Sequence, residues 1–299
     1  MKIHGIIPPM TTPFDSQGDM RLEHVPAQVD WLIAQGAHGL AAGGSTGEGH
    51  VLDGAEYKDL IEATVGATKG RVPVIAGIIV DSTREAIKRG KAVAGSGVAA
   101  LQVTPVHYLF RPTDDAMLQH FKALAEETGM PIMIYNVVPW AYLSPQLLTR
   151  IMNEVPGVVG VKQSAGDMKL FADLMIMANP RNLIFSAVDA LLYSSFTLGA
   201  HGAIAAILTA APRACVELWD ATRAGDHKKA RGIHEKLLPL WNAIISDNLP
   251  ANTKYCQARQ GVTTLQSRAP MPMPSAAQRA EIDKALAGLG DLVKLRAVG

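Results

Sequence analysis

Apolar positions along the chain fall into short unbroken runs, separated by longer segments in which they recur every three or four residues. The runs are residues 5–10, 39–43, 73–79, 99–104, 131–135, 158–162, 183–186 and 202–205. Runs of this length without alternation predict strands buried on both faces. The intervening segments predict helices. In residues 21–35, Leu22, Val25, Val29, Leu32 and Ile33 gather near one face, and in 55–68 Leu60, Ile61 and Val65 lie opposite charged positions. Further helical patterns cover 82–94, 114–128, 144–153, 166–177, 190–198 and 212–223. A strand followed by a helix, eight times over, predicts a parallel sheet. Repeating units of this length make a closed (β/α)8 TIM barrel the leading architecture. An open doubly wound sheet is the alternative, but Pro8-Pro9-Met10-Thr11-Thr12-Pro13 after the first strand is the wrong chemistry for a dinucleotide-binding turn.

Beyond residue 224 the strands stop. Residues 227–245 place Ile233, Leu237, Leu238, Trp241, Ile244 and Ile245 at helical spacing, and Pro250 opens another helix that ends near Gly261. The stretch Pro270-Met271-Pro272-Met273-Pro274 resists helix and sheet alike, and Ser275 then caps a final helix through residue 287. The predicted organisation is a barrel over 1–224 carrying the active site and a C-terminal helical extension over 225–299 packed on it.

Composition narrows the function. Of 299 residues, 48% are apolar and 18% charged, enough for a large core. The formal net charge of +1 comes with no basic stripe, so no nucleic-acid partner is expected. No apolar span reaches membrane length and the N-terminus lacks a signal-peptide pattern, so the expected location is the cytoplasm. Cys215 and Cys256 suggest neither a disulfide framework nor a zinc site, and neither a metal nor a cofactor is expected.

In a barrel of this kind, chemistry belongs at the C-terminal ends of the strands. Lys162 closes the run Gly157-Val158-Val159-Gly160-Val161. A desolvated amine favours its neutral form and becomes a nucleophile toward a ketone. The plainer reading is a lysine that ends a strand and snorkels to water. Tyr135 ends the preceding strand run, and adjacent parallel strands lie about 4.8 Å apart, so the two side chains can share one pocket. There the phenol can relay a proton, or it can merely pack. The turn Gly43-Gly44-Ser45-Thr46-Gly47-Glu48 can present N–H groups and hydroxyls to a carboxylate, or can be an ordinary βα turn in which Glu48 organises the loop. Ser164 falls on the same side as Lys162 if the strand continues, where it can orient substrate or cap the next helix.

Gly44-Ser45-Thr46-Gly47-Glu48, Val103-Thr104-Pro105, Tyr135-Asn136, Lys162, Asn248-Leu249-Pro250, Lys254, Gly261 and Arg268-Ala269-Pro270-Met271, in this order, resemble the dihydrodipicolinate synthase/N-acetylneuraminate lyase family over nearly the whole chain. The resemblance implies a (β/α)8 barrel with a helical extension, often a homotetramer of tight dimers. It also implies a class I lyase whose lysine forms a Schiff base with pyruvate or a related 2-oxo acid. Carried over, Lys162 forms the imine and Tyr135 shuttles the proton. Ser45 and Thr46, within Gly44–Gly47, hold the carboxylate, and Thr46 also relays protons. Ile204 stands beside the ligand, and Ala187 and Asp189 occupy the contact segment after the seventh strand. A tyrosine from the partner subunit completes the relay in synthases, and Tyr108, or second to it His107, occupies the matching segment.

Two departures bear on substrate. Val137-Val138-Pro139-Trp140-Ala141-Tyr142 places Trp140 where lysine-pathway synthases carry a carboxylate-gripping arginine, and Ala187-Val188-Asp189-Ala190 differs from the sialate-lyase pattern. An aromatic ring does not replace a bidentate fork. Trp140, Tyr142 and Phe110 therefore suggest a bulkier or more apolar substrate. The expected reaction is reversible aldol-type carbon–carbon bond formation or cleavage. The alternatives are a 2-keto-3-deoxy sugar acid dehydratase or aldolase, and a non-catalytic binding protein on the same fold.

Overall fold

The computed structural model describes residues 2–106 and 108–296. Its strands are β1 (Gly5–Ile6), β2 (Leu40–Ala42), β3 (Val74–Ile78), β4 (Ala100–Val103), β5 (Ile132–Asn136), β6 (Val158–Gln163), β7 (Leu183–Ser186) and β8 (Gly202–Ala203). They form one parallel sheet in the order β1-β8-β7-β6-β5-β4-β3-β2. A parallel bridge between Pro9 and Ala41 brings the ends of that order together. The molecule is a (β/α)8 barrel, not an open sheet.

β1 is shorter than the run predicts. Pro8 and Pro9 have no N–H to donate, yet Ile7 N–H still reaches the Ala203 carbonyl (3.0 Å) and Met10 N–H the Ala41 carbonyl (2.7 Å). Barrel closure therefore survives the interruption of the ladder.

The helices around the barrel are α1 (Val25–Ala34), α2 (Gly54–Thr68), α3 (Thr83–Val93), α4 (Asp114–Thr128), α5 (Pro145–Glu154), α6 (Met168–Met177), α7 (Leu192–Thr197), α8 (Ile207–Ala210) and α9 (Pro212–Arg223). Their starts follow local chemistry. Asp53 and Glu56 form a capping box at α2, and the Ser82, Thr113, Ser144 and Asp167 side chains accept first-turn N–H groups of α3 to α6. The short α8 has no counterpart in the sequence pattern. The extension consists of α10 (His227–Ile244), α11 (Leu249–Arg259) and α12 (Ala276–Gly288), the last capped by Ser275 with Gln278.

Two apolar cores result. The large one lies between strands and helices and continues into the extension through Ile233, Leu237, Leu240 and Ile282. The small one, Ile7, Ala41, Ile75, Met133, Phe185 and Ile204, fills the barrel interior. Above that plug stand the inward side chains at the strand ends. Among the described residues, no helix is long and apolar enough to cross a membrane.

Candidate active site

Lys162 is aimed into the barrel by an irregularity of β6. Ile132 pairs with Val158, but the next residue, Met133, pairs with Gly160, which leaves Val159 as an extra residue. Val158 belongs to the outer core and Met133 to the inner one. A one-residue register change transfers every later side chain to the other face. Lys162 therefore pairs with Tyr135 on the inner face, and its Nζ lies 3.6 Å from the centroid of the Tyr135 ring.

Lys162 is 4% exposed, which rules out the snorkelling geometry. Desolvation pulls its pKa from 10.5 down to about 7, against the opposing pull of the Asp189 carboxylate. Tyr135 is 5% exposed. Burial, and to a smaller extent the Asp189 charge, push its phenol up to about 12, while a hydrogen bond with Ser45 acts the other way. That bond, Ser45 Oγ to Tyr135 Oη, is 3.1 Å long. The hydroxyl coupled to Tyr135 is thus that of Ser45. Thr46, which the resemblance places in the relay, lines the same cavity without that bond. Successive residues of a tight turn point in different directions, so only one of the two reaches the phenol.

Asp189 follows β7. It accepts the Ile207 N–H at 2.8 Å, and desolvation raises its carboxyl to about 6 against that bond and the Lys162 charge. The cavity over Lys162 measures about 450 Å³. Ser45, Thr46, Tyr135, Ser164, Ala187, Asp189 and Ile204 all line it. Ser164 Oγ is buried at its edge without a hydrogen-bond partner among the described residues. The N–H groups of Ser45 and Thr46 carry no hydrogen bond among the described residues, so two donors stand ready beside two hydroxyls.

Other expected residues lie elsewhere. Gly44 and Gly47 shape the turn and do not line the cavity. The Gly47 N–H is used on the Gly44 carbonyl (3.1 Å), and a Cβ on Gly47 would meet the Met10 carbonyl oxygen at 2.7 Å. Trp140 is 64% exposed, lies outside the cavity lining and donates its indole N–H to the Tyr108 carbonyl at 2.9 Å. A short 3-10 turn at Pro139–Ala141 carries Trp140 outward, and its neighbours Val137 and Tyr142 face the cavity instead. Tyr108 is also 64% exposed and outside the cavity of its own chain, while His107 lies outside the described residues.

The sequence reading missed what the extension adds. Trp241, Ile245, Leu249 and Pro250, from α10, α11 and the turn between them, form part of the cavity wall. Their apolar character read as core, and only their place over the strand ends shows otherwise. Glu48 takes a left-handed conformation (φ 54°) and turns to the extension. Its carboxylate accepts from Lys254 Nζ at 2.6 Å and from the Arg268 N–H at 2.9 Å. That fixes the carboxyl end of the Ser45–Thr46 turn.

Comparison with known proteins identifies the family. The profile of the Dihydrodipicolinate synthetase family matches residues 2–288. The chain belongs to that family. A 4-hydroxy-tetrahydrodipicolinate synthase of Acidiphilium cryptum is 34% identical over 291 residues, covering 96% of this chain and 98% of the relative. Among solved structures, dihydrodipicolinate synthase from Aquifex aeolicus superposes with a TM-score of 0.91 at 26% identity, covering 98% of this chain and 100% of that one. A prophage protein of the dihydrodipicolinic acid synthase family from E. coli K12, solved in complex with pyruvate, gives 0.91 at 25% identity, covering 96% and 98%. Membership of the dihydrodipicolinate synthetase family makes this chain an enzyme of the class I lyase type.

Proposed function

We propose that the chain forms a Schiff base between Lys162 and pyruvate or a related 2-oxo acid, and uses it for reversible aldol-type bond formation and cleavage. The observation that carries this is the buried amine of Lys162, held near neutrality against the Tyr135 ring at the floor of a cavity. The neutral amine attacks the ketone, water leaves, and the iminium withdraws electrons from the adjacent methyl carbon. Loss of a proton there gives an enamine, the carbon nucleophile. Tyr135, hydrogen-bonded to Ser45, is placed to carry protons at these steps. Ser45 and Thr46 would hold the substrate carboxylate through hydroxyls and free N–H groups, and Ser164 Oγ would supply a further contact.

Family membership supports a cytoplasmic homotetramer, in which the exposed Tyr108, Leu109 and Phe110 would find cover and Tyr108 would approach a partner's site. In this reading the barrel over 1–224 carries the lysine, and the extension over 225–299 completes the wall. Lysine-pathway condensation is disfavoured, because no arginine lines the cavity among the described residues.

The test is borohydride reduction in the presence of pyruvate, followed by peptide mass mapping. A reduced pyruvyl adduct is expected on Lys162 and absent in Lys162→Ala. An adduct on another lysine, or none, would refute the mechanism.

A further inference from the structure

The cavity that holds Lys162 has two unlike parts. Its floor is polar: Ser45, Thr46, Tyr135, Lys162 and Ser164. Its upper wall comes from the loops after β5 and β7 and from the extension, and apart from Asp189 it is largely apolar, with Val137, Tyr142, Val188, Trp241, Ile245 and Leu249 its bulkiest members. Ile245 is 53% exposed, a large apolar side chain at the rim that gains cover only when something sits against it.

We infer that the carbon–carbon bond partner of the lysine-bound oxo acid is a neutral, apolar aldehyde, aryl in class, seated against Trp241, Tyr142 and Ile245. This rests on the Schiff-base reading above and names the second substrate of the same site.

The reason is a charge and hydrogen-bond inventory. Among the described lining residues the only cation is Lys162, and in the enamine that attacks the aldehyde its nitrogen carries no charge. The other ionisable acid or base in the lining, the phenols apart, is Asp189, an anion. An aldehyde bearing a carboxylate would bring a further negative charge to a cavity already holding Asp189 and the oxo-acid carboxylate, with no further cation among the described lining residues to receive it. Desolvating an unpaired charge is expensive. A polyhydroxylated aldehyde would find the Tyr142 hydroxyl, the Trp241 indole N–H and the Asp189 carboxylate, which already accepts the Ile207 N–H, so most of its hydroxyls stay unmatched. An aromatic ring loses nothing there and gains flat apolar contacts. The volume of about 450 Å³ falls in the range that encloses small organic ligands.

The step balances. The enamine carbon attacks the aldehyde carbon, and the aldehyde oxygen takes up one proton to become a hydroxyl. Water then hydrolyses the iminium, releasing a 4-hydroxy-2-oxo acid and restoring the amine. The proton lost from the oxo-acid methyl carbon matches the one gained by oxygen.

The experiment offers the full-length enzyme pyruvate with benzaldehyde, succinic semialdehyde or glyceraldehyde. It follows pyruvate loss and the mass of the product, with borohydride trapping in parallel. The kcat/KM for benzaldehyde is expected to exceed that for each of the other two by about tenfold or more. Preference for succinic semialdehyde or glyceraldehyde overturns the inference. A pyruvyl adduct on Lys162 without benzaldehyde condensation overturns it too, while leaving the Schiff base standing. Absence of the adduct shows instead that the underlying reading has failed. Ile245→Arg is expected to shift the ratio about tenfold or more toward succinic semialdehyde, and Trp241→Ala to raise the benzaldehyde KM far more than the pyruvate KM. An unchanged aldehyde ratio in Ile245→Arg refutes the placement of the aldehyde at this wall.

Discussion

At Lys162 the cost of burying an amine and the proposed use of that amine are the same interaction. Desolvation favours the form without charge, and the neutral form is the nucleophile. The usual lysine value is 10.5, and here it falls to about 7. Below that pH the folded enzyme holds the amine mostly protonated and inert. Above it the amine is mostly free. The initial rate of pyruvate trapping at limiting pyruvate is therefore expected to rise with pH up to about 7 and then level. Asp189 pulls in the opposite direction, since its carboxylate stabilises the ammonium ion. Asp189→Asn should move the midpoint of that profile to lower pH. A stopped-trap series from pH 5 to pH 9 decides the matter, and a midpoint that rises in the variant would contradict this account. Lys162, Tyr135 and Ser45 stood out in the chain as candidates, because few residue types suit the proposed chemical tasks. Which hydroxyl meets the phenol was not. Ser45 and Thr46 offer the same group one residue apart, and the backbone of the turn chooses between them.

Among the elements, β6 decides where the chemistry points. Its apolar run was plain in the sequence, but the extra residue at Val159 was not, because a bulge is a relation between two strands. Gly160 sits just past it, where a Cβ would lie 2.1 Å from the Leu183 carbonyl oxygen of β7. Gly160→Ala must push β6 off β7 and carry Lys162 with it. The expected result is a fall in thermal stability together with a loss of pyruvate trapping of about a hundredfold, as for other small misplacements of a reacting group. A variant with normal trapping would show that the strand register is not what positions the amine. The 3-10 turn at Pro139–Ala141 is a second case. The sequence marked Val137 to Tyr142 as an aromatic substitute for an arginine, yet the turn sends Trp140 to solvent and leaves Tyr142 at the cavity.

Across the whole molecule, the extension is joined to the barrel by a buried ion pair. Lys254 and Glu48 are 0% and 1% exposed and 2.6 Å apart, and Lys254 also reaches the Gln266 carbonyl. Burial lowers the Lys254 pKa and the Glu48 charge opposes that change. Removing one partner strands the other charge in the interior. Lys254→Met is therefore expected to destabilise the protein by about 3–5 kcal/mol, with much of the loss recovered in Glu48→Gln/Lys254→Met. Denaturant unfolding of the two variants checks both parts, and a single variant as stable as the wild type would remove the pair from any structural role. The pair lies 206 residues apart in sequence, so no local pattern could announce it. It also links the turn that offers Ser45 and Thr46 to the helices that supply Trp241 and Leu249, so that one contact steadies both parts of the cavity.

The amino-acid order alone settled the alternation of strands and helices, the helix caps, and the lysine and tyrosine closing neighbouring strands. Each of these is set by local periodicity or by the chemistry of a single residue type. Folding in three dimensions decided the rest: closure through Pro9 and Ala41, the face that Lys162 presents, the choice of Ser45 as partner to the phenol, and the apolar wall from the extension. These depend on register and on contacts between distant segments, and the energy of such contacts exists only once the chain has brought them together.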